Sequence, residues 1–274
     1  MNKTIVITGA GGVLCSGFAK FLAEDRNRII LLDISEEAAK KVENEINSKG
    51  GKAKAYKCNC LDKEEIESVH ANILKDFGKC DILINGAGGN NKKCTTEHEE
   101  YADGDESTED FMTFFNISEK GFDFVFDLNL KSVLLSSQVF IPDMLGRKGC
   151  CVLNISSMNA YRPLTKIPAY SAAKAAVSNF TSWLAVHFAK EGIRVNAIAP
   201  GFFVTNQNRA LLFNEDGTAT ERTGKILRAT PMGRFGEAEE LLGTVEWLLD
   251  ENKSGFVTGV TIPVDGGFSA YSGV

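Results

Sequence analysis

The sequence predicts an α/β fold, a doubly wound parallel sheet with helices on both faces. Three observations carry the prediction. Short apolar runs alternate with longer amphipathic stretches, the rhythm of β-α-β units joined by right-handed crossovers. The apolar runs are continuous rather than alternating, as expected of strands covered on both sides. No repeat, low-complexity linker or composition break divides the 274 residues, so a single domain over 1–274 is expected.

Taken in order, Thr4–Thr8 (TIVIT), 29–32 (IILL), 82–84 (ILI), Cys151–Ile155 (CVLNI) and 195–198 (VNAI) read as buried strands. Glu36–Ser48, Lys63–Phe77 and 171–190 read as helices between them. Two segments break the rhythm. Residues 89–115 form a polar, acidic insertion after a strand, and 202–236 mix apolar and polar residues after another. Loops this long in a compact domain tend to be functional, and both leave the carboxyl ends of strands, where open α/β sheets bind ligands. The acidic part, 97–110, reads either as a solvated loop or as a lid or subunit contact.

Composition narrows the function classes. Hydrophobic residues make up 43% and charged residues 24%, the balance of a chain that buries a full core. No run of eighteen apolar residues occurs, so no membrane span is expected. The chain opens directly into TIVIT with no charged leader or cleavage site, which makes the cytoplasm the expected compartment. A net charge of −6 argues against nucleic acid, which needs a clustered basic footprint, but leaves room for a small anionic ligand. The seven cysteines include no Cys-x-x-Cys pair and are expected to be reduced thiols, most of them packed in strands. Three histidines, none spaced with a Cys or carboxylate partner, give no reason to expect a metal.

TGAGG follows the first strand and opens a helix. Gly9, Gly11 and Gly12 let the backbone turn tightly and approach a pyrophosphate held by amide N–H groups and the helix dipole. The fingerprint Gly-x-Gly-x-x-Gly is met only in part, because position 14 is Leu14. Asp33 ends the second strand, where a carboxylate can accept from adenosine ribose hydroxyls and repel a 2′-phosphate. NAD is therefore expected in preference to NADP. The plain alternative for Asp33 is a helix cap before Glu36 and Glu37.

Tyr170 and Lys174 are four apart in a helical stretch and share one face. A phenol with a pKa near 10 needs roughly 3 kcal/mol of help to act as a base near neutrality. An ammonium about 4–5 Å away supplies on the order of 3–4 kcal/mol at an effective dielectric near 20. Ser157, just past the strand at Cys151–Ile155, is placed to hold a substrate oxygen beside the tyrosine.

These motifs, in this order, resemble the short-chain dehydrogenase/reductase family over nearly the whole chain. TGAGG resembles its glycine loop, NGAG at 85–88 its Asn-Asn-Ala-Gly segment, and ISS at 155–157 with YSAAK at 170–174 its catalytic Ser and Tyr-x-x-x-Lys. Pro200, Gly201 and Thr205 are similar to a segment that holds the nicotinamide carboxamide, and VDGG at 264–267 to a C-terminal signature.

The resemblance implies a Rossmann fold, with Ser157, Tyr170, Lys174 and Asn129 as catalytic residues. Asn129 would anchor a proton-relay water, and Lys174 would bond the nicotinamide ribose and lower the Tyr170 pKa. The implied cofactor contacts are Gly9, Gly11, Gly12, Val13, Leu14, Asp33, Asn59, Cys60, Asn85, Ala87, Gly88, Tyr170, Lys174, Pro200, Gly201, Phe203 and Thr205. Val13 and Cys15 depart from the family's later glycines, and Asn59 stands where an Asp commonly meets the adenine amino group. A homotetramer or homodimer is implied, to which the C-terminal 269–274 could contribute.

Longer strings, among them ILINGAGGNN and APGFFVTNQNRALLF, resemble the D-mannonate oxidoreductase (fructuronate reductase) branch. A polyhydroxy acid calls for amides that pair with hydroxyls and a cation for the carboxylate. Asn90, Lys93, Ser157, Asn159, Arg162 and Arg209 are the candidates. Another polyol, aldonate or cyclic alcohol is the alternative substrate. A non-catalytic dinucleotide sensor or scaffold is the alternative of another class.

Overall fold

The computed structural model describes residues 2–204 and 209–273. Seven parallel strands form one sheet in the order β3-β2-β1-β4-β5-β6-β7. They are β1 Thr4–Thr8, β2 Arg28–Asp33, β3 Lys52–Lys57, β4 Ile82–Asn85, β5 Cys151–Ile155, β6 Arg194–Pro200 and β7 Thr261–Val264. The five expected strands are the central ones, each almost wholly buried. The two that sequence reading missed are the edges. In β3 (KAKAYK) the only buried residues are Ala53 and Ala55, too small to make an apolar run. Partly exposed β7 carries Pro263, which an edge tolerates because the outer side needs no N–H.

Helices α1 Val13–Ala23, α2 Glu36–Ser48 and α3 Lys63–Phe77 follow the first three strands. Next come α4 Glu119–Phe126 and α5 Ser132–Phe140, joined by a π turn at Asp127–Lys131, then α6 Pro168–Phe188. The segment 202–236, expected as a loop, contains two short helices, α7 Arg209–Leu212 and α8 Glu221–Ala229. Helix α9, Leu242–Leu249, precedes the last strand. Alternate strand residues feed opposite layers. Ile5, Ile7, Ile29 and Leu31 pack with α1, α2 and α9. Val6, Ile30 and Leu32 pack with α3, α5 and α6.

Helix α6 begins three residues before the expected start, because Pro168 suits the first helical turn, where no N–H partner is needed. The rod Glu119–Met144 is long and apolar enough, by length and composition, to cross a membrane, although charged residues interrupt it. About half of its apolar stretch is buried, and Val139 and Phe140 sit in the core. All seven cysteines are free and buried, as expected, but only Cys151 lies in a strand. The others fill helix faces and the turns at strand ends, where a small thiol packs as a hydrophobe. Burial pushes the Cys15 and Cys151 thiols up to about 12, so both are inert at neutral pH.

Candidate active site

The sheet reverses direction of winding between β1 and β4, and the crevice outside their carboxyl ends is where such folds take a ligand. The glycine loop lies there. Gly9 has φ +65°, and a β-carbon on it would come within 2.9 Å of the Ala87 backbone. Gly11 is hemmed in by Ala38, 2.6 Å from where its β-carbon would be. Gly12 is the N-cap of α1 and offers no side chain, so the first amides of α1 have no side-chain cap. That is the condition for holding an anion. Thr8 Oγ1 accepts from Gly86 N and Ala87 N at 3.1 and 3.2 Å, tying the two loops together.

One departure from the family glycine pattern, Cys15, has a local explanation. A β-carbon on Gly86 would overlap Cys15 Sγ. The cysteine therefore occupies the space released by a glycine on the neighbouring loop.

Asp33 is not a helix cap. Ser35 caps α2, accepting from Ala38 N, while Asp33 Oδ1 accepts from Ser35 N at 2.8 Å. Its other oxygen accepts from Gly11 N at 2.8 Å, which fixes a carboxylate beside the glycine loop. Asn59 Oδ1 closes its own turn on Leu61 N at 3.0 Å, and the Cys60 thiol is buried. Asn85 Nδ2 donates to Asn154 Oδ1 at 2.8 Å, so this residue braces β4 against β5 from within the core.

The catalytic candidates converge. Ser157 caps a short turn after β5, its hydroxyl accepting from Asn159 N at 3.2 Å. Tyr170 and Lys174 lie one turn apart on α6, with the Lys174 ammonium 5.6 Å from the Tyr170 ring centre. Lys174 Nζ donates to Ile155 O at 2.7 Å, and Ser156 Oγ donates to Lys174 O at 3.0 Å, so β5 holds the helix in register. Gly88 lies against both Lys174 and Asn129, where a β-carbon would come within 3.1 and 2.8 Å of their polar atoms.

The electrostatics correct one expectation. Burial raises the Tyr170 pKa above that of a free phenol, offset in part by the neighbouring Ser157 side chain, where a lowered value was expected. Lys174 is buried as well, at 4% exposure, and desolvation lowers its own pKa to about 8. Asn129 sits in the π turn, a helix irregularity common at functional sites. Its Nδ2 donates to Gly89 O and Val125 O at 2.7 and 2.8 Å, and its Oδ1 accepts from Gly89 N at 3.2 Å. That side chain is thus engaged in holding the segment after β4.

On the substrate side, Gly201 N donates to Val264 O at 3.0 Å, joining the end of β6 (Pro200) to the VDGG segment. Gly201 also packs against Asp265, 2.6 Å from where its β-carbon would be, a contact sequence reading did not single out. Phe203 is buried and bridges to Gly236. Thr205 lies outside the described residues. Asn90 Nδ2 donates to Thr95 Oγ1 at 2.9 Å, and Lys93 is exposed at the next turn. Asn159 is buried with its Oδ1 unpartnered. Arg162, half-buried, makes no ion pair among the described residues. Arg209 lies over the Phe213 ring at 5.4 Å, a cation–π contact. Asn159 and Arg162 therefore directly follow Ser157, whereas Arg209 enters from another segment. Among the described residues no group of three or more His, Cys, Asp or Glu could hold a metal ion.

The short-chain dehydrogenase family model matches residues 3–216, and the chain belongs to that family of oxidoreductases. It is 63% identical over 274 residues to an uncharacterized oxidoreductase of Haemophilus influenzae, covering 100% of this chain and 95% of the relative. It is 33% identical over 270 residues to the 5-keto-D-gluconate 5-reductase of Escherichia coli, covering 97% and 95%. The fold superposes with TM-score 0.96 on a crystal structure from Haemophilus with bound NAD, provisionally named a D-mannonate oxidoreductase. That structure is 62% identical, with 100% of this chain and 97% of the other covered.

Proposed function

We propose that this protein is an NAD-dependent oxidoreductase interconverting a sugar-acid ketone and its alcohol, D-fructuronate and D-mannonate. The observation that carries the reading is the convergence of Ser157, capping the turn after β5, with Tyr170 and Lys174 one turn apart on α6, beside an uncapped glycine loop. The loop fits a dinucleotide: Gly9 and Gly11 leave no room for β-carbons, and the first amides of α1 are open to a pyrophosphate. The bound nicotinamide supplies the hydride.

Burial keeps the Tyr170 phenol protonated at neutral pH, the state needed to give a proton to a carbonyl oxygen. Ser157 holds that oxygen. Lys174 uses one N–H on Ile155 O and has others for the ribose hydroxyls. In the reverse direction Tyr170 must lose its proton first, so alcohol oxidation rises with pH while ketone reduction falls as the phenol ionises.

Asp33 is held beside the loop as an acceptor for ribose hydroxyls, and its charge opposes a 2′-phosphate. NADH is expected to be used at least about tenfold better than NADPH, a preference needing only about 1.4 kcal/mol. Comparing kcat/KM for the two cofactors checks this; a preference for NADPH would remove Asp33 from the cofactor assignment.

A polyhydroxy anion is supported by polar residues in the segment after Ser157: Asn159, whose unpartnered oxygen can only accept, as from a hydroxyl, and Arg162, a cation without a carboxylate partner among the described residues. The likeness to the 5-keto-D-gluconate 5-reductase keeps a keto-aldonate as the second reading. The test sets D-fructuronate, fructose and a hydrophobic ketone against enzyme with NADH, then repeats on Arg162→Ala and Arg209→Ala. Loss of a bidentate clamp should raise KM for fructuronate at least about tenfold, the low end for a charge-assisted pair, and leave fructose nearly unchanged. Equal rates on fructose and fructuronate would refute an anionic substrate and leave the oxidoreductase standing. Absence of any turnover with intact NADH binding would favour a sensor.

A further inference from the structure

The insertion at 89–115 is a folded piece with its own hub. Asp105 is 7% exposed and accepts from His98 Nδ1 at 2.9 Å and from Ala102 N at 3.1 Å. Its carbonyl accepts from Thr113 Oγ1 at 2.9 Å, and Glu97 N donates to Met112 O at 2.7 Å. A loop closed on its own side chains in this way moves as a unit rather than as a loose chain.

Beyond the base of the insertion, where Gly89 pairs with Asn129 and Lys93 O accepts from Ser118 N, two links attach that unit to the rest of the molecule near the site. Thr96 N donates to Lys166 O at 2.9 Å, in the segment between Ser157 and Tyr170. Glu99 Oε1 meets Lys225 Nζ at 3.0 Å, on α8 of the 202–236 segment. The first link is backbone to backbone and the second is an exposed ion pair. The insertion is therefore fixed at its base, where Cys94 packs with Val125, Ala169 and Ala173, and its outer part touches α8 through an exposed contact that can open.

We propose that the insertion and α8 form a two-part lid over the substrate side of the cleft, latched by the Glu99–Lys225 ion pair. This rests on the reading that substrate sits beside Ser157 and Tyr170. Charge supports the latch, since Lys225 holds the Glu99 carboxyl below its usual range, with Lys166 and Arg222 adding to the effect. A closed lid retains the substrate and excludes water from the proton transfer.

The test uses Glu99→Gln, Lys225→Met and the charge swap Glu99→Lys/Lys225→Glu. KM for the ketone is expected to rise about two- to fivefold in each single variant, the reach of one exposed ion pair. KM for NADH should stay within about twofold, and the swap should restore the ketone KM. Amide hydrogen exchange supplies a readout that needs no substrate: 97–115 and Glu221–Ala229 should lose protection together in Glu99→Gln and regain it in the swap. Because the seven native cysteines are buried, Glu99→Cys/Lys225→Cys can be joined selectively with a cleavable thiol cross-linker. Joining should cut turnover at least about tenfold, as for a lid that cannot release product, and cleavage should restore it. Unchanged ketone KM with unchanged exchange, or exchange rising in the insertion alone, would overturn the latch. A wrong substrate assignment would instead leave the coupled exchange intact and remove turnover on sugar acids.

Discussion

Tyr170→Phe is expected to lower turnover by at least about 10²-fold, the low end for losing a general acid, and to leave NADH binding nearly unchanged. The phenol lies one turn from Lys174 on α6, and burial keeps its proton in place at neutral pH. Removing only the hydroxyl keeps the ring packed against the small cluster of Cys94, Val125, Ala169 and Ala173. The loss should therefore fall on kcat, with the dissociation constant for NADH, measured by fluorescence titration, within about twofold of the parent. Near-normal kcat would show that the proton comes from elsewhere.

Lys174→Met should abolish activity and also change how stability depends on pH. Desolvation lowers the lysine pKa from 10.5 to about 8 in the folded protein. Below about pH 8 both folded and unfolded chains carry the proton, and burying the ammonium opposes folding. From about pH 8 to 10.5 the folded lysine is neutral while the unfolded one still binds a proton, so stability rises with pH across that window. The rise approaches about 3 kcal/mol, at about 1.36 kcal/mol for each tenfold difference in proton affinity between the folded and unfolded chains.

Buried thiols act in the opposite sense, because folding holds them neutral while the unfolded chain ionises them. The difference between parent and Lys174→Met isolates the lysine from them. Loss of the bond to Ile155 O shifts the variant's stability equally at every pH and does not affect this difference. Urea unfolding at pH 7.5 and pH 10 should show the parent gaining about 2–3 kcal/mol relative to the variant. Parallel changes in the two proteins would mean that Lys174 keeps its ordinary ionisation when folded.

The alternation of apolar runs and amphipathic helices, TGAGG, Asp33, Ser157 and the Tyr170–Lys174 pair were all legible in the sequence. Each is a local pattern: period, spacing or residue type is enough to read it. The central strands were legible for the same reason, since burial on both faces leaves a continuous apolar run, whereas β3 and β7 at the edges carry small or half-exposed residues and leave none.

Tertiary structure decided what depends on neighbours distant in sequence. It gave Asp33 to Gly11 rather than to a helix end, and matched Cys15 to the missing side chain of Gly86. It turned the Asn129 side chain onto Gly89 and Val125, and buried Lys174 so deeply that its own ionisation, not that of Tyr170, is the one displaced downward. It also brought Glu99 to Lys225 across more than a hundred residues. Spacing along a chain fixes which side chains share a helix face. Desolvation and long-range pairing are set only when the layers close over the sheet.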